Sequence, residues 1–269
     1  MALVLYTLFF FTRNMFKRGQ ITVFIIIGIV VLFIMVALLS TYSTISLKKT
    51  TVSEEGVLDA SNIAGPIKSY VESCLEKTTQ EAIFENGLKG GYFQLPERST
   101  TEYLDNLPYY VSLGESLIPN QETLEQEIQN YTNYFLYRCL KFDSFKQEGY
   151  NISYVAPQTK IIIKPKKIMV TLDMLVEIQR DAFITQISKF VVVIPNDQLY
   201  ADFQSVINVL NESQRGMFCL SCIATEGKKN NLTFVINSLG NNTHIIRVVD
   251  NDYVFYLEPY ILNFVVNYG

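Results

Sequence analysis

The chain contains no tryptophan, a single histidine and only four cysteines in 269 residues. A Ser-His-Asp hydrolase would have to use His244, and no G-x-S-x-G motif precedes that residue. The sequence also lacks a P-loop, a Rossmann fingerprint and an EF-hand loop. Its formal net charge of −4 provides no basic footprint for nucleic acid. We therefore expect no catalysis, no cofactor or metal site and no nucleic-acid partner.

The longest apolar run, Ile21 to Leu39, is free of charged residues. At about 1.5 Å per residue it would extend close to the ~30 Å hydrocarbon core of a bilayer, which predicts a single transmembrane helix. Basic residues precede the run at Arg13, Lys17 and Arg18 and follow it at Lys48 and Lys49. The positive-inside rule then favours a cytoplasmic N-terminus and a C-terminal ectodomain outside the cell membrane.

A short basic leader, Lys17-Arg18-Gly19-Gln20-Ile21-Thr22, directly precedes the apolar run. It resembles the class III signal sequence of archaeal type IV pilin-like proteins, and the remaining chain resembles single-span surface proteins of archaea. The resemblance implies cleavage after Gly19, which would leave Gln20 as the mature N-terminus. Phe24 stands where that family has a Glu used in filament assembly, so we expect an anchor rather than a filament subunit.

The leader and the start of the chain each allow a second interpretation. A plain signal anchor with a basic flank explains the same leader without any cleavage. Either Met1 or Met15 could be the true start, because the first fourteen residues read equally well as an upstream extension.

Five sites match the N-glycosylation acceptor pattern, which favours a surface-exposed, exported domain. They are Asn130, Asn151, Asn211, Asn231 and Asn241.

The pattern of apolar residues predicts an α+β protein, in which the transmembrane helix is followed by two amphipathic helices, a mainly antiparallel β-sheet and one further helix. Abundant tyrosine and phenylalanine suit half-buried strands. The expected segments are a leader (1–20), a membrane helix (21–39), a juxtamembrane stalk (40–65), a helical part (66–149) and a β-rich part (150–269). Pro66 is expected at the first position of the first helix.

The predicted elements after the stalk follow from local periodicity. Helices are expected from Pro66 to about Asn86 or Gly90, over about 121–142 and over about 199–212, with an irregular excursion at 92–120. β-Rich runs are expected at Asn151–Ala156, Lys160–Lys164, Lys167–Gln179, Ala182–Ile194, Gly216–Ala224, Leu232–Asn237, Thr243–Val249 and from Tyr253 to the end.

The four cysteines permit disulfides in an exported domain. Cys74 and Cys139 fall on the predicted apolar faces of two helices, where they could form a disulfide or remain buried thiols. Cys219-Leu-Ser-Cys222 could be a local structural disulfide, a pair of free thiols or a thiol–disulfide active site. A redox site should open a helix, whereas this motif lies in a predicted β run.

We therefore expect a membrane-anchored structural or interaction protein of the cell surface, of a pilin-like or envelope-associated kind, held by one helix and contacting a protein partner. One alternative is a tethered ligand- or glycan-binding module with a cleft lined by tyrosines. The other is a thiol oxidoreductase using Cys219 and Cys222. Asp250 and Asp252 resemble paired carboxylates, but a tight turn explains them equally well.

Overall fold

The computed structural model describes residues 28–32, 54–100, 106–195, 198–213 and 219–269. Within these ranges, no helix combines the length and the apolar composition needed to cross a membrane. The transmembrane helix predicted over 21–39 is therefore not supported, although residues 28–32 of that segment are helical. The rest of the 21–39 segment, the leader with Gly19 and Gln20, and residues 40–53 of the stalk lie outside the described residues.

The longest element among the described residues is helix α1, Glu54–Leu88. From Ile63 onwards its buried side chains recur every three or four residues, so one stripe of the helix faces the core. Pro66 lies inside this helix and not at its first position as the sequence predicted. Gly90 and Gly91 follow the helix with φ of 64° and 83°, and the Gly91 amide donates to the Asn86 carbonyl (2.7 Å).

Ten strands and four further helices follow α1 in the described chain. The helices are α2 (Gln121–Cys139), α3 (Asp143–Gln147), α4 (Leu199–Glu212) and α5 (Leu220–Asn230). The strands are β1 (Ser99–Thr100), β2 (Leu107–Ser112), β3 (Glu115–Ser116), β4 (Tyr150–Tyr154), β5 (Gln158–Lys164), β6 (Lys167–Arg180), β7 (Phe183–Pro195), β8 (Leu232–Gly240), β9 (Thr243–Phe255) and β10 (Glu258–Asn267).

The first sheet has the strand order β1-β2-β10-β9-β8, with β3 paired to β2. Strands β8, β9 and β10 form an antiparallel meander, whereas β2 runs parallel to β10. The last strand of the chain therefore lies inside the sheet. Every residue from Tyr260 to Val266 except Ile261 is buried.

The second sheet is organised by β6, which pairs with β7 along its whole length. On its other side β6 pairs first with β5 and then with β4, so those two short strands share one edge. The buried side chains of β6 alternate strictly with less buried ones from Ile168 to Ile178, as expected of a strand with one face in the core.

Helix α2 packs along β5 and bonds to its backbone. Glu125 accepts the Ile163 N–H (2.8 Å), Gln121 donates to the Ile163 carbonyl (2.9 Å) and Asn133 accepts the Thr159 N–H (2.9 Å). Side chains thus satisfy strand groups that would otherwise be open to pairing with another chain.

Both sheets and α1 contribute to one connected hydrophobic core. Residues 55–269 form one compact unit, and the β2–β10 pairing crosses the boundary expected between residues 149 and 150. The predicted β run over 216–224 is wrong from Leu220 onwards, because helix α5 begins there. Phe142 does not continue α2, which ends at Cys139.

Candidate functional site

An open cleft of about 490 Å³ lies between α1 and the hairpin formed by β9 and β10. Helix α1 contributes Glu81, Phe84, Glu85 and Leu88, and α2 contributes Tyr131. The hairpin contributes Phe255, Tyr256, Glu258, Pro259 and Ile261. The cleft therefore combines aromatic walls with three carboxylates.

The floor of the cleft is an aromatic cluster centred on Phe84. Its ring centroid lies 5.1 Å from those of Tyr253 and Phe255 and 5.6 Å from that of Tyr260. These distances are within the range of favourable aromatic pairs, which holds the Phe84 ring in place. These aromatic side chains therefore form the floor of the cleft without any bound ligand.

The carboxylates give the cleft a negative character. Burial raises the pKa of Tyr131 to about 12, and the negative charges of Glu85 and Glu81 add to the rise. In the described residues, no salt bridge involves Glu81, Glu85 or Glu258.

The tip of the β9–β10 hairpin consists of Tyr256 and Leu257. Both have positive φ, 49° and 70°, in a turn position that normally carries Asn-Gly or Gly-Gly. Their side chains are 66% and 94% exposed. Two bulky residues in this conformation cost about 1–2 kcal/mol each, so the tip combines backbone strain with exposed apolar surface.

A buried pair of carboxyl groups lies beneath the hairpin. Asp202 on α4 and Asp250 on β9 are each 1% exposed. Burial raises the pKa of Asp202 to about 9, and the proximity of Asp250 and then Asp252 adds to the rise. The protonated form of Asp202 is therefore favoured, and in that form it can donate a hydrogen bond to Asp250.

Asp250 also organises an irregularity in β9. Its Oδ1 accepts the backbone N–H groups of Asp252 (2.8 Å) and Tyr253 (3.3 Å). Pro259 pairs with Val254 while its neighbour Tyr260 pairs with Asp250, so three residues of β9 bulge out at this point. Asp252 lies on the exposed side, where it accepts a hydrogen bond from Asn231 (2.9 Å). The two aspartates therefore belong to a bulge within β9 and not to the tight turn expected from the sequence, and Asp202 is the buried partner that the sequence did not reveal.

Both cysteine pairs form disulfides. Cys74–Cys139 joins α1 to the end of α2, and next to it the Tyr70 hydroxyl donates to the Cys139 carbonyl (2.6 Å). Cys219–Cys222 opens α5: Cys219 is the N-cap residue, and its Sγ accepts the Cys222 N–H (3.2 Å). Contrary to the sequence interpretation, the C-x-x-C motif thus lies at a helix N-terminus.

The remaining predicted site residues lie on the surface or in the sheet. Of the five acceptor asparagines, Asn151, Asn211, Asn231 and Asn241 are exposed, whereas Asn130 is half-buried and accepts a hydrogen bond from Gln126. His244 lies on β9 opposite Ser238, whose hydroxyl is 2.9 Å from Nδ1.

The cleft was not predicted from the sequence, although the acidic and aromatic residues that α1 contributes to it follow a regular spacing. The spacing of Lys77, Glu81, Phe84, Glu85 and Leu88 places them along one side of the helix. The spacing could have indicated a shared face of α1. The hairpin that completes the cleft lies about 170 residues later in the chain, so no local pattern connects the two.

Comparison of the chain with protein-family models, with curated protein sequences and with solved structures produced no match.

Proposed function

We propose that this chain is an exported structural or interaction protein that contacts another protein through the tip of its β9–β10 hairpin. The observation that carries the proposal is the tip itself, where Tyr256 and Leu257 hold strained conformations and remain exposed. Strain of this kind persists where the surrounding structure enforces it, and it concentrates at sites of recognition. Exposed apolar side chains gain free energy when a partner covers them.

The cysteines support export. Disulfides persist in oxidising compartments and are rare where thiols are kept reduced. Both cysteine pairs lie at bonding geometry, with Cα atoms 5.6 Å and 5.2 Å apart. Four of the five acceptor asparagines are exposed, as glycosylation would require.

A photo-crosslinking amino acid placed at Leu257, in the cells that make the protein, tests the contact. We expect one discrete crosslinked species outside the cytoplasm. The matched control is Leu113, which is also apolar, exposed (77%) and at positive φ (51°), but lies in the β2–β3 turn.

A second variant separates contact from folding. Tyr256→Asn with Leu257→Gly gives the hairpin its preferred turn residues and removes the apolar tip. We expect this variant to have a higher free energy of unfolding than the wild type. A crosslinking amino acid placed at Glu258 should capture the partner when the tip is Tyr256-Leu257, and should not capture it when the tip is Asn-Gly. Equal crosslinking from positions 257 and 113, or none from either, would contradict the proposal.

Thiol–disulfide exchange at Cys219–Cys222 is the second candidate function, favoured by the position of this pair at the start of α5. Helix N-termini stabilise thiolates, and Cys222 borders an open polar cavity. A dithiol partner would become a disulfide while this pair becomes two thiols. Reductase assays with Cys219→Ser, against Cys74→Ser with Cys139→Ser as control, test the candidate. Activity that survives Cys219→Ser rules it out.

A further inference from the structure

We propose that the cleft between α1 and the β9–β10 hairpin binds an alkylammonium group, such as a lysine side chain or a methylated amine. This inference rests on the proposed interaction function, because it assigns the chemistry that the surface beside the hairpin tip would recognise. The partner would then present a positively charged group on an apolar chain, as a lysine side chain does.

The walls fit such a group. An ammonium ion is attracted to the negative face of an aromatic ring, by about 0.5–2 kcal/mol depending on solvation. Phe84, Phe255 and Tyr256 line the cleft from two elements, so a bound group would touch more than one ring. Their apolar surfaces would also cover the methylene or methyl groups of the ligand.

The charges fit as well. Glu81, Glu85 and Glu258 border the same cavity, and no salt bridge in the described chain uses them. The ammonium group of Lys77 offsets part of the charge of Glu81, and a bound cation would be attracted to the negative charge that remains at the cavity. A neutral sugar gains no such attraction, which favours a cationic ligand over a glycan.

The chain itself places an ammonium beside this cleft. Lys77 lies one helical turn before Glu81, and its Nζ is 5.8 Å from the centroid of the Tyr256 ring. That distance is within the limit of cation–π contact. Tyr256 therefore already lies next to the type of group that we assign to the cleft.

The cavity size agrees with a small ligand. Its volume of about 490 Å³ lies within the usual range for ligand pockets, about 300–1,000 Å³. The cleft is open at one side, so a side chain presented by a larger partner could enter it.

Calorimetric titration of the full-length protein with choline and with dimethylbutanol, its uncharged carbon analogue, tests the inference. The two molecules share their shape and differ in charge. We expect choline to bind about 10-fold more tightly than the analogue, and its affinity to fall as salt is added. A lysine amide, compared with the matching norleucine amide, extends the comparison to a side chain. Similar affinity for each charged molecule and its neutral counterpart overturns the inference.

Variants locate the binding. Phe84→Leu keeps an apolar side chain but removes the ring, and Glu81→Gln with Glu85→Gln removes charge without changing shape. We expect either change to weaken choline binding by about 10-fold. Controls are Tyr134→Leu, an exposed aromatic residue on α2, and Glu122→Gln, an exposed carboxylate on the same helix. Loss of binding in the controls, or none in the two-glutamine variant, places the ligand elsewhere.

The choline titration and the crosslinking from Leu257 can succeed or fail independently of each other. A crosslink from Leu257 together with no preference for choline means that the hairpin has a partner but the cleft does not select a cation. Selective choline binding with no crosslink supports the cation site and removes the protein contact at the tip.

Discussion

At the scale of single residues, Asp202 is a carboxyl group whose ionised form is disfavoured by burial and by the neighbouring Asp250. Asp202 and Asp250 are each 1% exposed. A carboxyl group buried beside a second carboxyl group favours its protonated form. The free-energy cost of burying Asp202 therefore depends on pH.

We predict that Asp202→Asn raises the free energy of unfolding at neutral and mildly alkaline pH. The pKa of Asp202 is about 9 in the folded protein and near 3.9 in an unfolded chain. Between these values the folded state binds a proton that the unfolded state releases, so stability falls as pH rises, by up to about 1.4 kcal/mol per pH unit. Below pH 4 both states are protonated and the effect disappears.

Urea denaturation at pH 5 and pH 8 measures the effect, with Asp143→Asn on the exposed α3 as control. The difference between the wild type and Asp202→Asn should widen by ~4 kcal/mol from pH 5 to pH 8. An unchanged difference would show that Asp202 is ionised in the folded protein.

Gly87 permits the close approach of α1 to β10. A Cβ atom at this position would lie 2.6 Å from the Ile261 carbonyl oxygen and 2.6 Å from a ring carbon of Tyr260. We predict that Gly87→Ala lowers the free energy of unfolding by about 1–3 kcal/mol through this overlap, despite the better helix propensity of Ala. Thermal unfolding of Ser73→Ala, an exposed position on the same helix, provides the comparison. A gain in stability for Gly87→Ala would mean that the helix can move away from β10.

At the scale of elements, the two disulfides have different roles. Cys74–Cys139 closes a loop with a sequence separation of 65 and ties α1 to α2, whereas Cys219–Cys222 spans a separation of 3 within one turn. In the chain-entropy description, a longer loop gives a larger loss of unfolded-state entropy.

We predict that replacing Cys74 and Cys139 with Ala costs about 4 kcal/mol of stability, and replacing Cys219 and Cys222 with Ala about 2 kcal/mol at most. Chemical denaturation under non-reducing conditions compares the two double variants. Mild dithiothreitol should reduce the half-exposed Cys219–Cys222 pair before the Cys74–Cys139 pair, in which Cys74 is 3% exposed. Mass spectrometry after alkylation gives the order, and the reverse order would contradict this assignment of roles.

At the scale of the whole molecule, the long-range pairing of β2 with β10 closes the fold. β10 pairs with β9 on one side and with β2, about 150 residues earlier, on the other. The core beneath it is shared with the second sheet through α1. Residues 55–269 should therefore unfold together.

We predict that Leu172→Ala in β6 and Leu262→Ala in β10 shift the same unfolding transition, each by about 2–5 kcal/mol. Both side chains are at most 2% exposed but belong to different sheets. Tyrosine fluorescence and far-ultraviolet circular dichroism should follow one coincident curve in both variants. Two transitions, each affected by only one variant, would show that the sheets unfold independently.

Local pattern was sufficient for much of this fold. The apolar spacing of α4, the start of α2 after Asn120 and the alternation along β6 are properties of neighbouring residues, so the sequence by itself determined them. The two disulfides of the structure, Cys74–Cys139 and Cys219–Cys222, were among the alternatives that the sequence left open. The sequence prediction misplaced Pro66, which lies inside a long helix, and residues 220–224, which belong to a short helix capped by Cys219.

Only the tertiary structure decided which distant segments meet. The parallel β2–β10 pair, the approach of Asp202 to Asp250 and the cleft between α1 and the hairpin each join residues separated by dozens of positions or more. Such contacts form because the shared core and the sheet register bring the segments together, and no local period encodes them. The positive φ values of Tyr256 and Leu257 are likewise a property of the folded hairpin, because local preference favours Asn-Gly in such a turn.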